Sequence, residues 1–211
     1  MVGVEPSCVA AFRDELPNML PHDEDAKRLG LQTLTLAEFL GSHAQQGWEP
    51  PKLKRHALVH GHCHHEATMG LDAEEELLER MGLDFEVLDS GCCGMAGSFG
   101  FELGHYDISV AIGERRLLPA VREASPETVL VADGFSCKTQ VEELTDRRPL
   151  HLAQLMAMAR DHGPEGPPGP APERHYPDVE PASPKRAMIA GAAVAAAAAG
   201  SATWILARRR S

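Results

Sequence analysis

The sequence predicts an α/β fold: a short parallel sheet of βαβ units with cysteines at the C-terminal ends of its strands, then a linker and an apolar C-terminal helix. Three observations lead there. Over residues 1–160, short apolar runs alternate with amphipathic helical patterns, and strands separated by helix-length segments pair in parallel. A segment near the start, Val2-Gly3-Val4-Glu5-Pro6-Ser7-Cys8, is echoed by Val131-Ala132-Asp133-Gly134-Phe135-Ser136-Cys137: an apolar strand, an acidic residue, Ser-Cys, then a helix. Three further cysteines, Cys63, Cys92 and Cys93, also follow apolar strand-like runs.

Taken in order, residues 2–5 read as a strand and 8–16 as a helix. Residues 36–43 are helical by their apolar spacing, 57–60 form a strand, and 73–81 form a helix with an acidic first turn, as the helix dipole prefers. Residues 85–88 are a strand, followed by the glycine-rich stretch Ser90 to Gly100. Residues 102–121 read as one long helix, 128–132 as a strand, and 137–144 and 150–160 as helices. The pattern is a Rossmann-like βαβ repeat. If Cys8 and Cys137 are equivalent positions, the first copy lacks everything before its final strand, so residues 1–160 read as the second repeat plus the end of the first, a truncated two-repeat domain.

Two zones follow. Residues 161–186 are dense in Pro, Gly and charge, the composition of a disordered linker. Residues 187–207 carry no charge, are long enough to span a bilayer as a helix, and lead into a basic tail at 208–211. Much of that stretch is alanine, so Met188, Ile189, Val194, Trp204, Ile205 and Leu206 supply its hydrophobicity, and Trp204 beside Arg208–Arg210 fits an interfacial anchor.

The formal net charge of −11 argues against nucleic-acid binding, which needs a basic surface to release phosphate counterions. No secretory leader opens the chain, which points to a reducing, cytoplasmic setting. Five cysteines, two of them adjacent, make an awkward disulfide framework; thiols in such a setting serve as ligands or nucleophiles.

Soft thiolates select zinc, copper(I) or iron–sulfur clusters. Glycines around Cys92 and Cys93 let the backbone wrap a bulky group and donate N–H bonds to sulfur. Of His60, His62, His64 and His65, at most one is expected near the site, polarising a sulfur, with the others facing solvent, since only alternate residues of an extended segment share a face. His105 and His151 read as ordinary helix residues, and Ser7 and Ser136 as helix caps.

The segments around Cys8 (Glu-Pro-Ser-Cys), Cys63 (His-Gly-His-Cys-His), Cys92-Cys93 (Gly-Cys-Cys-Gly-Met-Ala-Gly-Ser-Phe-Gly-Phe-Glu) and Cys137 (Asp-Gly-Phe-Ser-Cys), with Pro149 to Met156, resemble the second half of a CCG-type cysteine-rich domain. Such domains occur in a subunit of heterodisulfide reductase, in the iron–sulfur subunit of glycolate oxidase, and in the C-terminal part of FAD-linked dehydrogenases of the D-lactate or D-2-hydroxyglutarate type, which is the nearest resemblance. It implies that Cys63, Cys92, Cys93 and Cys137, with Cys8 from the preceding repeat, ligate a [4Fe-4S] cluster, cubane or non-cubane, with zinc as the alternative occupant. The family pattern ends in Cys-x-x-Cys, whereas Gln140 holds the last position here. The implied role is an electron relay for a 2-hydroxy-acid oxidoreductase whose FAD sits on a partner or on a missing module. The competing readings are a zinc-binding structural or regulatory module and a thiol enzyme using Cys92 or Cys93, for which the sequence offers no evident base.

Overall fold

The computed structural model describes residues 1–175. The predicted membrane helix at 187–207, the basic tail and the distal part of the linker lie outside the described residues, among which no helix is long and apolar enough to cross a membrane.

The chain runs β1 (Val2–Gly3), α1 (Pro6–Ala10), a π-helical stretch (Ala11–Glu15), α2 (Leu16–Met19), α3 (Glu24–Leu31), β2 (Leu34–Thr35) and α4 (Leu36–His43). It continues with β3 (His56–Val59), α5 (Cys63–Thr68), α6 (Asp72–Met81), β4 (Asp84–Val87), α7 (Tyr106–Gly113), α8 (Leu117–Glu123), β5 (Val129–Val131), α9 (Phe135–Leu144) and α10 (Leu152–His162). Short 3₁₀ turns occupy Phe99–Phe101 and Pro172–His175. The strands form two parallel sheets, β1-β2 and β4-β3-β5, rather than one.

The three-stranded sheet is covered on both faces, as parallel sheets require. Ala57 and Val59 of β3 and Val129 and Val131 of β5 pack with Leu77, Leu78, Met81, Leu152, Leu155 and Met158 from α6 and α10. The alternate residues, Leu58 and Leu130, pack on the opposite face with Leu117, Leu118, Val121 and Val141 from α8 and α9. The two-residue period of a strand thus divides one apolar run between two layers.

The expected long helix over 102–121 is broken. Helix α7 starts only at Tyr106, after Gly104 in a left-handed conformation, and ends at Gly113; α8 restarts at Leu117. Pro119 explains the break: it has no N–H to give to residue 115, and its ring would clash with that carbonyl in a continuous helix. Helices α3 and α5 and strand β2 carry little signal in the sequence. The last is only two residues long and the other two lack a long apolar stripe.

The internal echo extends further than Ser-Cys. β1 leads into α1 with Cys8 and pairs in parallel with β2, after which a capping box of Thr35 and Glu38 opens α4. β5 leads into α9 with Cys137 and bridges in parallel to Leu150, after which a capping box of His151 and Gln154 opens α10. Leu34-Thr35-Leu36-Ala37-Glu38 and Leu150-His151-Leu152-Ala153-Gln154 are the matching stretches.

The first part of the expected linker is packed. Lys54 N–H donates to Pro164 O at 2.7 Å, and Ala171 N–H donates to Pro126 O at 2.6 Å. Glu173, only 1% exposed, accepts from Arg147 Nε at 2.6 Å, and the same guanidinium donates to Thr128 O. A proline-rich composition lowers the chain entropy lost on such docking, and one buried ion pair anchors the strap.

Candidate metal centre

Four thiols gather at the C-terminal edge of the three-stranded sheet. After β3 the chain stays extended through His60, whose N–H donates to Val131 O at 2.9 Å, and Cys63 opens α5. After β4 come Ser90 and the glycine-rich loop with Cys92 and Cys93; after β5 comes α9, with Cys137 in its first turn. Because the strand order is β4-β3-β5, the three segments emerge side by side. This is the edge at which parallel α/β sheets place their ligands.

The loop demands glycine where it crosses α7. Gly94 has φ +101°, and a Cβ there would lie 2.1 Å from Ser109 O. Its N–H donates to Cys92 Sγ at 3.3 Å, while backbone groups at Met95 and His64 serve Cys93 and Cys63. Gly97 N–H donates to Ser136 Oγ, tying the loop to α9. Gln140 turns away from the thiols, donating to Ser109 O at 3.0 Å. The position at which the resembled pattern carries a further cysteine is thus committed to holding α7.

The thiols act on one another. A hydrogen bond from Cys137, helped by His60 and the Met95 backbone, outweighs burial and holds Cys93 down at about 4. Cys137, the donor in that bond and itself buried, is driven strongly up. Burial and neighbouring Cys92 push Cys63 up to about 11. One member ionises easily and its neighbours resist, so the group as a whole takes up full thiolate character only with a cation among its sulfurs. The donor set is soft and supported by backbone N–H groups, which fits a thiophilic metal or cluster. Among the described residues, no three His, Cys, Asp or Glu side chains stand where they would jointly hold a single metal ion.

Cys8 is exposed on α1, which packs against α5, and is separated in character from the four. Its neighbour Ser7 reaches His62 Nε2 at 3.2 Å and Glu5 Oε1 at 3.1 Å, and the other Glu5 oxygen accepts from Phe135 N–H at 2.8 Å. Neither Ser7 nor Ser136 caps its helix. Glu5 and Gly134 hold the N-cap positions, and each serine lies inside the first turn. His151 caps α10 and its Nε2 meets Val4 O.

The histidines depart most from expectation. His60, His62 and His65 are all buried; only His64 is partly open, near Glu15. Residues 60–62 lead from the end of β3 into α5, with His60 N–H still bonded to Val131 O, and all three are buried. His60 faces Ser90 and Cys93, and His62 lies against Gly134, where a Cβ would come within 2.3 Å of its ring and 3.3 Å of Cys137 Sγ. His65 turns the other way, to Glu74 at 3.4 Å. These two, with His62 and Asp133, line a small cavity of about 30 Å³, room for a water or two. Burial lowers the affinity of His62 and His65 for protons and raises Glu74 to about 7, so all three favour the neutral form. A histidine beside Cys93 answers the missing base of the thiol-enzyme reading, but Cys93 is 3% exposed, too enclosed for a substrate to approach.

No protein-family profile matches the chain. It is similar to a subunit of the anaerobic glycerol-3-phosphate dehydrogenase of Escherichia coli (strain K12), 35% identical over 162 residues, 75% of this chain and 40% of that protein. It is also similar to D-2-hydroxyglutarate dehydrogenase of Haemophilus influenzae, 32% identical over 152 residues (67% of this chain, 14% of that protein), and to its namesake in E. coli K12, 28% identical over 163 residues (74% and 15%). These dehydrogenase polypeptides are its homologues. The chain is therefore related to oxidoreductases, and it spans well under half the length of each of these relatives.

Proposed function

We propose that this domain carries electrons for a dehydrogenase through an iron–sulfur cluster of the [4Fe-4S] type held by Cys63, Cys92, Cys93 and Cys137. Cys8 is the outlying fifth donor, and the flavin and substrate chemistry, toward a 2-hydroxy acid or a related alcohol, belong to another module or another polypeptide. The observation that carries the reading is the convergence, at one sheet edge, of four thiols whose mutual repulsion calls for a cationic partner. The homology to dehydrogenases favours a redox occupant.

A bound cluster would supply one-electron storage at low reorganisation cost. The chain's own residues bind and enclose it. Backbone N–H groups of the glycine loop face sulfur, Cys93 and Cys137 lie in the apolar layer with Leu58, Met95 and Leu130, and Ser136 locks the loop to α9. A dry, hydrogen-bonded surround of this kind governs the potential of a thiolate-held cluster.

The test is a set of single Cys→Ser variants reconstituted anaerobically with iron and sulfide. Serine at 93 or 137 should abolish the visible absorption, whereas Cys8→Ser should retain most of it. Equal absorption in all variants would sink the ligand assignment, and tight uptake of one zinc with no iron would favour the structural-module reading.

A further inference from the structure

His60 is 4% exposed and sits at the mouth of the central strand, between Ser90 and Cys93. Its Nδ1 meets Ser90 Oγ at 2.7 Å. The other acceptor for the Ser90 hydroxyl, Leu88 O, is 3.5 Å away, at the outer limit of an O–H···O bond, which leaves the hydroxyl proton available to Nδ1. With Ser90 O–H donating to Nδ1, the ring proton is left to Nε2. That N–H is buried and has no aligned partner among the described residues. The acceptor beside it is the Cys93 sulfur. A buried ring nitrogen without a partner, on a ring that neighbours a sulfur, is an unfinished hydrogen bond.

We propose that Ser90 fixes His60 as its Nε2–H tautomer so that the ring donates to the Cys93 sulfur, making His60 the residue that sets the reduction potential of the bound cluster. The electron-carrying role is taken from the proposed function. His60 is a positioning residue: it touches a ligand, not the reacting irons. Reduction adds negative charge that spreads onto the sulfurs, so a donor at Cys93 stabilises the reduced state more than the oxidised one and raises the potential. A neutral donor does this without adding net charge to the site.

Two measurements test it, the first with no cluster needed. In the full chain at neutral pH, long-range ¹H–¹⁵N spectra of the histidine rings should show His60 as the Nε2–H tautomer, and Ser90→Ala should weaken that preference. An Nδ1–H tautomer in the wild type overturns the proposal, whether or not the chain takes up a cluster. In reconstituted protein, redox titration followed by EPR should place His60→Leu at a more negative potential than wild type. His60→Gln, which keeps an N–H near the Nε2 position, should restore most of the difference. Unchanged potential in His60→Leu, or an equal shift in both variants, contradicts the assignment. Failure to form any cluster would fall on the proposed function, and the tautomer would still decide this inference.

Discussion

At the scale of single residues, several titratable side chains are buried, among them His60, His62, His65, Glu74 and Glu173. Glu74 is the clearest case outside the thiol group. Burial, with Asp133 and Glu38 nearby and only Thr35 and its own backbone in opposition, raises its carboxyl from 4.5 to about 7. A raised carboxyl favours folding in its protonated form: the contribution is complete below pH 4.5 and disappears as pH climbs through 7, and it is worth about 3 kcal/mol. Glu74→Gln should therefore equal wild type in stability near pH 4 and exceed it by up to that amount at pH 8, as urea unfolding across pH will read. A variant less stable than wild type at pH 8 would contradict the assignment. Gly94 makes a second, purely steric prediction. Gly94→Ala must place a Cβ against Ser109 O in a left-handed backbone, and should cost about 2 kcal/mol or more. Gly91→Ala, in open space at a similar φ sign, should cost less, and a larger loss at Gly91 than at Gly94 would refute the packing account.

The placement of Cys63, Cys92, Cys93 and Cys137 was legible in the sequence because each follows a short apolar run that reads as a strand, and parallel strands open onto one edge. The histidines were not. Alternation along an extended segment says which residues share a face, but whether both faces are covered depends on His60 and His62 following the central strand of the sheet. That position follows from the order β4-β3-β5, which pairing across distant segments decides. The Glu5–Ser7–His62 chain was hidden for the same reason, since Ser7 and His62 are 55 positions apart.

At the scale of elements, the missed features are short or interrupted ones. Pro119 divides the helix that apolar spacing alone predicts over 102–121. The second echo, Leu-x-Leu-Ala with Glu or Gln next, was also in plain sight, but its meaning needed the parallel pairings of β1 with β2 and of β5 with Leu150. The strap at 163–175 could not be read from composition, because proline and glycine look alike in a free linker and in a docked one. Its anchor makes a sharp prediction. Glu173→Ala strands the buried Arg147 guanidinium and should destabilise the domain by about 3–5 kcal/mol in chemical denaturation. A loss below about 1 kcal/mol, the usual worth of an exposed pair, would mean that the strap does not hold in solution.

At the scale of the whole molecule, a three-layer domain delivers four thiols to one edge, and Cys8 lies in the first turn of the helix after β1 as Cys137 does after β5. The homologous dehydrogenases extend well beyond the matched region, so the relay reading assigns substrate chemistry to polypeptide other than this domain. The proposed relay turns on the nature of the group that the four sulfurs would hold. The most direct measurement is iron, acid-labile sulfide and zinc per chain in anaerobically purified protein, with EPR of the dithionite-reduced sample. A [4Fe-4S] cluster would give a brown protein with about four iron and four sulfide per chain and a reduced-state signal. A colourless, EPR-silent protein carrying one zinc per chain would contradict it.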